Sequence, residues 1–397
     1  MQLYLLALNP TDAVSDGYLP AAAALGLDVT ILTDDPEPHR RRHPGVSAVS
    51  CDVRAPEAVI AAIAAGPAPA AIFTNSDHLQ TPAAMAAAYF GLPGKDWRAT
   101  LRVNNKAEMR RALTAAGLGA VWSAELGATH DPASLAVLDV PMPCVIKPRE
   151  GVASEDVHLV TDIEELVLCG THIRQRRPGV PLLIEEFLPG QLCTLETLGD
   201  GLRRHALGGF RTTLTSPPHF IELRHTFVAE HPPEVLAQVT DQLDALGIGF
   251  GACHTEFVVD QGRVRLIEVN YRTIGDQCDL TLRDILGIDL FGHVLRTHLG
   301  QPLPETLGAR TGVGGRIDHI RATTSGVLRA APGPRTETVD GVALTYRPLR
   351  AVGSAHQLAF TNRDYLGVLR TVGPGDDGAI DRVAERFLAE QHWDVRA

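Results

Sequence analysis

The apolar positions of this chain change their spacing along its length. Over the first hundred residues, short aliphatic runs at 3–8, 28–32 and 70–74 read as strands, and alanine-rich stretches at 18–25 and 57–65 read as helices. Strands alternating with helices predict a parallel sheet with helical crossovers, which Gly91-Leu92-Pro93-Gly94 closes. Helical spacing then returns at Met109, Ala112, Leu113 and Ala116, behind the capping residues Asn104 and Asn105. From about 140 to 270 strands dominate, including the apolar runs 143–147 and 181–188 and two β-branched runs around Asp260-Gln261-Gly262 that predict a hairpin. After Gly300 come short strands broken by Pro and Gly, then an amphipathic helix over 379–391.

Alternation within the hairpin decides what it presents. Residues two apart on a strand share a face, so His254 goes with Glu256, and Glu268 goes with Asn270. Two carboxylates and an amide oxygen thereby meet on adjacent strands. Hard oxygen donors of this kind suit Mg²⁺, or Mn²⁺, which takes its other ligands from water and phosphate. Arg272, two residues beyond Asn270, adds a planar cation. The bland alternative is a hairpin with one wet face.

Composition changes this picture at one point. Of the 36 basic residues only three are lysine, Lys95, Lys106 and Lys147, so a lysine here calls for a physical reason. Lys147 ends an apolar strand and precedes the small-residue loop Gly151-Val152-Ala153-Ser154, where a compact ammonium and backbone N–H groups can approach phosphates together. Lys106 stands at a helix start, and Lys95 reads as a solvated surface residue. The rest is ordinary: 397 residues with 45% hydrophobic and 21% charged positions allow two or three domains with their own cores. A net charge of −11 argues against a nucleic-acid partner. No apolar run reaches membrane-spanning length and the first residues lack a basic leader, so the expectation is a cytoplasmic protein without a membrane partner. The six cysteines show no C-x-x-C spacing, which suggests reduced thiols rather than a zinc site or redox pair. A homodimer stays open.

Four motifs in order now carry a resemblance: Lys106 with the helix through Gly117, Ile146-Lys147-Pro148 with its glycine loop, Glu185-Glu186-Phe187-Leu188-Pro189-Gly190, and the His-x-Glu and Glu-x-Asn-x-Arg hairpin. Together they resemble the ATP-grasp carboxylate-amine ligases over nearly the whole chain. The resemblance implies an α/β and α+β multidomain protein. A Rossmann-like parallel-sheet domain would occupy 1–100. The ATP-grasp domain would span 101–305, with a lid subdomain at about 115–190 and a metal-binding part at about 191–305. A small β-rich C-terminal subdomain would take 306–397. It also implies ATP and Mg²⁺ as cofactors. Lys106, Lys147, Gly151 and Ser154 would lie at the phosphates, Glu185, Glu186, Phe187 and Leu188 at adenine, and Glu256, Glu268 and Asn270 on the metal. Family members often hold ribose with an acidic residue where this chain has Gln191 and Leu192, leaving Gln191 or Glu196 to serve.

The expected chemistry is attack of a substrate carboxylate on the γ-phosphate of ATP, giving an acyl phosphate that an amine then displaces. Lys147 and Arg272 are the expected catalytic cations. His254, Gly275, Asp276, Arg224 and His225 are candidate substrate contacts, and the stretch 212–225 is a candidate cover for the site. The arginines Arg211, Arg224 and Arg272 would suit a polycarboxylate, as in siderophore-pathway ligases. Dipeptide ligases, a non-catalytic ATP-binding regulator and a carboxylase on the same scaffold are the alternatives.

Overall fold

Both faces of the first sheet are buried, and its sequence shows why. In the computed structural model, which describes residues 1–151, 154–375 and 378–396, four strands form a parallel sheet. They are β1 (Gln2–Leu6), β2 (Asp28–Thr33), β3 (Ser47–Ser50) and β4 (Pro69–Thr74), in the order β3-β2-β1-β4. Along β1, Leu3 and Leu5 enter one apolar cluster while Tyr4 and Leu6 enter another. Parallel sheets need this double cover, because crossover helices lie on both sides. Each leucine so buried contributes roughly 1.5–3 kcal/mol. The expected helix at 18–25 starts earlier, as a π-helical segment Ala13–Tyr18 that runs into Leu19–Ala24.

A second, antiparallel sheet contains β5 (Ser123–Leu126), β6 (Cys144–Pro148), β7 (His158–Val160) and β8 (Leu182–Glu186), in the order β5-β8-β6-β7. Its alternate residues Cys144, Ile146, Leu182 and Ile184 pack on the helix Ile163–Arg176 through Leu166 and Ile173. Their neighbours Val145, Lys147 and Glu185 therefore face the other way, into a cavity.

The third sheet forms the opposite wall. Its strands are β9 (Leu192–Asp200), β10 (Arg204–Ala206), β11 (Gly209–Leu214), β12 (Glu222–Val228), β13 (Phe250–Asp260), β14 (Arg263–Asn270) and β15 (Val313–Arg321). Beyond the small-sheet strand β16 (Gly326–Ala330) follow β17 (Arg335–Val339) and β18 (Val342–Pro348), and beyond β19 (Ala355–His356) follows β20 (Tyr365–Pro374). The order is β14-β13-β9-β11-β12-β15-β20-β18-β17, with β10 beside β9. Pairing of β12 with β15 makes residues 192–270 and 313–374 parts of one continuous sheet. The strands β16, β19 and β21 (Asp394–Arg396) form a small sheet of their own.

The hairpin turn is as short as a hairpin allows. Gln261 and Gly262 adopt φ of 48° and 76°, the two left-handed residues of a type I′ turn. Behind the hairpin the helix Pro233–Leu246 sets Val239 and Leu243 against Phe257 and Leu266. The stretch 212–225 is not a long polar insertion, as its composition suggested. Half of it belongs to the paired strands β11 and β12, and the other half, residues 215–221, is the loop that connects them. Among the described residues no helix is long and apolar enough to cross a membrane.

Candidate active site

Register on the hairpin is the starting point. His254 stands opposite Asn270 and Glu256 opposite Glu268. Lys106 reaches this pair from a helix start: Asn105 caps the helix Lys106–Ala115 by accepting the Glu108 N–H at 3.1 Å. From there Lys106 Nζ donates to Glu268 Oε1 at 3.0 Å and to the Gly151 carbonyl at 3.1 Å. One turn on, Arg110 lies on the same helix face and pairs with Glu185, which Lys147 also contacts at 2.5 Å. Burial alone would raise the Glu185 pKa, but these two cations hold it at about 2.

His254 is held between two carboxylates, with Nδ1 2.8 Å from Glu196 Oε1 and Nε2 3.3 Å from Glu256 Oε1. Burial pulls its pKa down, yet Glu196 and Glu256 outweigh that and push it up to about 10. The resulting imidazolium fixes Glu256 in place. At the same end of the hairpin Arg272 is gripped by Asp77, with three N···O distances of 2.7–2.8 Å. The Asn270 amide meets carboxylate oxygens of Asp77 and Glu268 at 3.3 Å each when its nitrogen faces them and donates. With its oxygen on that side it joins two carboxylate oxygens that Lys106 and Arg272 already hold, and Glu256, Glu268 and the Asn270 oxygen are hard donors of the kind a divalent metal takes.

Lys106, Lys147, Glu185, His254, Glu256, Glu268, Asn270 and Arg272 open on one cavity of about 400 Å³, walled by the second and third sheets, which is ample for a nucleotide-sized ligand. Residues 140–281 match the family model of the ATP-grasp domain. The chain has an ATP-grasp fold. The solved structure of L-amino acid ligase from Bacillus licheniformis superposes with a TM-score of 0.81 at 22% identity, over 100% of this chain and 99% of that one. Phosphoribosylglycinamide synthetase from Anaerococcus prevotii gives 0.71 at 14% identity, over 100% and 99%. An uncharacterised protein of Sinorhizobium fredii (strain NBRC 101917 / NGR234), y4rH, is 28% identical over 77% of this chain. The present chain spans 64% of that protein's length.

The ATP-grasp fold brings nearly every expected residue to the cavity. Lys106, Lys147, Gly151, Ser154, Glu185, Glu186, Phe187 and Leu188 line it, as do His225, His254, Glu256, Glu268, Asn270, Arg272, Gly275 and Asp276. Val152 and Ala153 of the glycine loop lie outside the described residues. Arg224 departs from the expectation: it pairs with Asp318 at 2.8 Å and does not line the cavity, and neither does Arg211. Arg224 faces away because its neighbour His225 faces in, and a bulge brings Glu222 to the side of His225. Thr213 pairs with Arg224 and Leu214 with Glu222, so Leu223 is the extra residue, and Glu222 joins His225 on the cavity wall while Arg224 turns away.

Further corrections concern side chains engaged elsewhere. The Glu185 carboxylate is taken by Arg110 and Lys147, and the Glu186 carboxylate by the Trp122 N–H at 2.8 Å and Arg265 at 3.1 Å. Adenine would thus meet mainly backbone here. Glu196 is buried against His254 and Thr194, and Gln191 donates to the Leu192 and Thr212 carbonyls, so neither side chain is presented for ribose. Lys95 is no surface residue: it is buried, and donates to Gln80 Oε1 at 2.7 Å and to the Tyr271 carbonyl. The left-handed backbone after β14 falls on Asp276 and Gln277, with φ of 52° and 66°, rather than on Gly275.

Sequence reading missed Arg110, Asp77 as the partner of Arg272, Glu222 and Asn362. Arg110 could have been found, because it sits four residues after Lys106 on one helix face. Glu222 and Asn362 come from distant strands and loops and touch at 3.1 Å. No local pattern marks them. Burial, then Glu256 and Asp276, push the Glu222 pKa up to about 8.

Proposed function

We propose that the protein is an ATP-dependent ligase that joins a carboxylic acid to an amine, releasing ADP and phosphate. The observation that carries this reading is the convergence of Lys106, Lys147, Glu256, Glu268, Asn270 and Arg272 on one cavity. Glu256, Glu268 and Asn270 would hold Mg²⁺ or Mn²⁺, which when bound supplies charge neutralisation at the phosphate oxygens. Lys106 and Lys147 supply the fixed positive partners along the phosphates, and the backbone of 186–188 the polar edge for adenine. Arg272, locked by Asp77, is positioned to bind the substrate carboxylate and to stabilise the oxyanion that forms when the amine attacks the acyl phosphate.

For the substrate, an amino acid fits better than the polycarboxylate of a siderophore pathway. Asp276, with the carboxyl of Glu222 as a further acceptor, gives the cavity wall a partner for an α-ammonium group, and of the three arginines expected to bind a polyanion only Arg272 lines the cavity. The reading is therefore amino-acid ligation, with dipeptide formation as its simplest form. Phosphate release from MgATP across a panel of amino acids, keto acids and polycarboxylates, with product identification by mass spectrometry, tests it. ADP formation that requires an amino acid and yields a peptide is expected. Turnover with citrate-like acids alone would restore the polycarboxylate reading, and AMP formation would exclude the acyl-phosphate route.

A further inference from the structure

Three side chains that the ligase reading leaves without a task meet where β12, β15 and the helix Cys278–Leu286 converge. One ligand atom from each of His225, Cys278 and His319 lies within 4.8 Å of the other two, and all three residues are buried. They are far apart in the sequence, so no spacing motif announces them. Each imidazole has one nitrogen held on an oxygen and one without a hydrogen bond, the His225 Nε2 lying 3.7 Å from Glu222 Oε2. His225 Nδ1 lies 3.1 Å from the Thr212 hydroxyl, and His319 Nε2 lies 3.4 Å from the Asp276 carbonyl. The carbonyl can only accept, which places the His319 proton on Nε2 and a lone pair on Nδ1. His319 Nδ1 and His225 Nε2 have no hydrogen-bond partner, although both are buried. Orphaned buried nitrogens are costly and call for an explanation. The Cys278 thiol makes only a long contact of 3.9 Å to the Asp276 carbonyl.

We propose that His225, Cys278 and His319 form a binding site for a divalent metal of the zinc type, separate from the oxygen-donor site on the hairpin. Two imidazoles and a thiolate are donors that zinc takes and magnesium refuses. Metal-bound histidines also fix their second nitrogen on an oxygen, as both do here. Zinc bond lengths set such donors about 3.3–3.6 Å apart, so the present cluster needs only side-chain adjustments of about 1 Å. Burial lowers the pKa of both imidazoles, while burial, then Asp276 and Glu222, raises that of the Cys278 thiol, so a metal here must displace the thiol proton. Binding releases the thiol proton of Cys278 to solvent and changes no oxidation state. His225 and Cys278 line the cavity beside Glu222, whereas His319 stacks behind them on Tyr365 at 4.4 Å. The fourth metal position therefore opens toward the cavity. There it would take a water or a donor group of the bound substrate.

This site does not depend on the ligase reading, and its test needs no turnover. The full chain, reduced and freed of metal by chelation, is titrated with Co²⁺ in excess Mg²⁺, which occupies the oxygen-donor site. The expected result is one Co²⁺ per chain with a thiolate-to-cobalt charge-transfer band and the strong visible bands of four-coordinate cobalt, both bleached by one equivalent of Zn²⁺. Cys278→Ser removes the charge-transfer band, His319→Gln weakens binding about tenfold or more, and Cys253→Ser, a buried cysteine outside the cluster, leaves both unchanged. A wild-type chain that shows no thiolate band overturns the proposal, as does a band that persists in Cys278→Ser. If Cys278→Ser does not fold, the wild-type titration and His319→Gln still decide.

Discussion

Arg272 and Asp77 form a clasp between the connection that follows β4 and the end of β14, 195 residues apart in the chain, with the guanidinium making contacts of 2.7–2.8 Å to both carboxylate oxygens. The clasp aims the cation that the proposed chemistry needs most. Asp77→Asn keeps the size of the side chain but removes its charge and frees the guanidinium. Steady-state kinetics should show kcat falling at least tenfold while the affinity for MgATP, read by calorimetry, changes less than threefold. Equal losses in both would mean that Asp77 only holds the domains together.

Glu185 is the hub of a buried ion cluster, and its pKa of about 2 lies below the usual carboxylate value because Arg110 and Lys147 outweigh the effect of burial. A depressed carboxylate contributes stability that is fully present above its unfolded pKa near 4.5 and is lost as pH falls toward 2. Removing one member of a buried pair costs about 3–5 kcal/mol. Denaturant melts of Glu185→Gln at pH 7 should show a loss of that order. The gap to wild type should narrow between pH 4.5 and 2, and a gap independent of pH would refute the charge assignment.

Lys95 carries the opposite dependence. Burial pulls its pKa down to about 7, so between pH 7 and 10.5 the unfolded chain binds a proton that the folded chain does not. Stability relative to Lys95→Met should therefore rise with pH across that window, by about 1.4 kcal/mol for each pH unit at most. Melts at pH 7, 8.5 and 10 check it. A difference that stays flat would mean that the hydrogen bonds to Gln80 and the Tyr271 carbonyl keep the ammonium charged.

Arg224 and Asp276 separate the two substrate readings. Arg224 faces Asp318 and not the cavity, so Arg224→Ala should change the KM for the acid by less than about threefold, a surface-like effect. Asp276→Asn should raise the KM for an amino acid by about tenfold or more and spare the KM for ATP, because an ammonium loses its charged partner. The reverse pattern would favour a polyanionic substrate held by Arg224.

Much of this was legible in the residue order. The shared faces of His254 with Glu256 and of Glu268 with Asn270, the helix-start Lys106, the strand-end Lys147 and the parallel sheet of the first hundred residues follow from local rules of alternation and capping, whereas the cross-strand register at the site does not, because a bulge at Ile267 shifts it by one residue from what the turn sets. Lys95 and Arg224 misled for one reason. A charged residue near a turn or on a strand reads as exposed or as site-facing until the partner that takes it, Gln80 and the Tyr271 carbonyl for Lys95 and Asp318 for Arg224, is known.

The sequence by itself determined which residues are chemically able to meet ATP and a metal, because hydrogen-bonding capacity, charge and strand or helix periodicity are local properties. Only the tertiary structure decided which partner each charge takes: Asp77 for Arg272, Arg110 and Lys147 for Glu185, and Asp318 for Arg224. It alone gathered His225, Cys278 and His319 from three separate elements. Pairing energies in a buried site depend on distances of a few ångströms between segments a hundred residues apart, and those distances are set by how the sheets pack, not by any one stretch of chain.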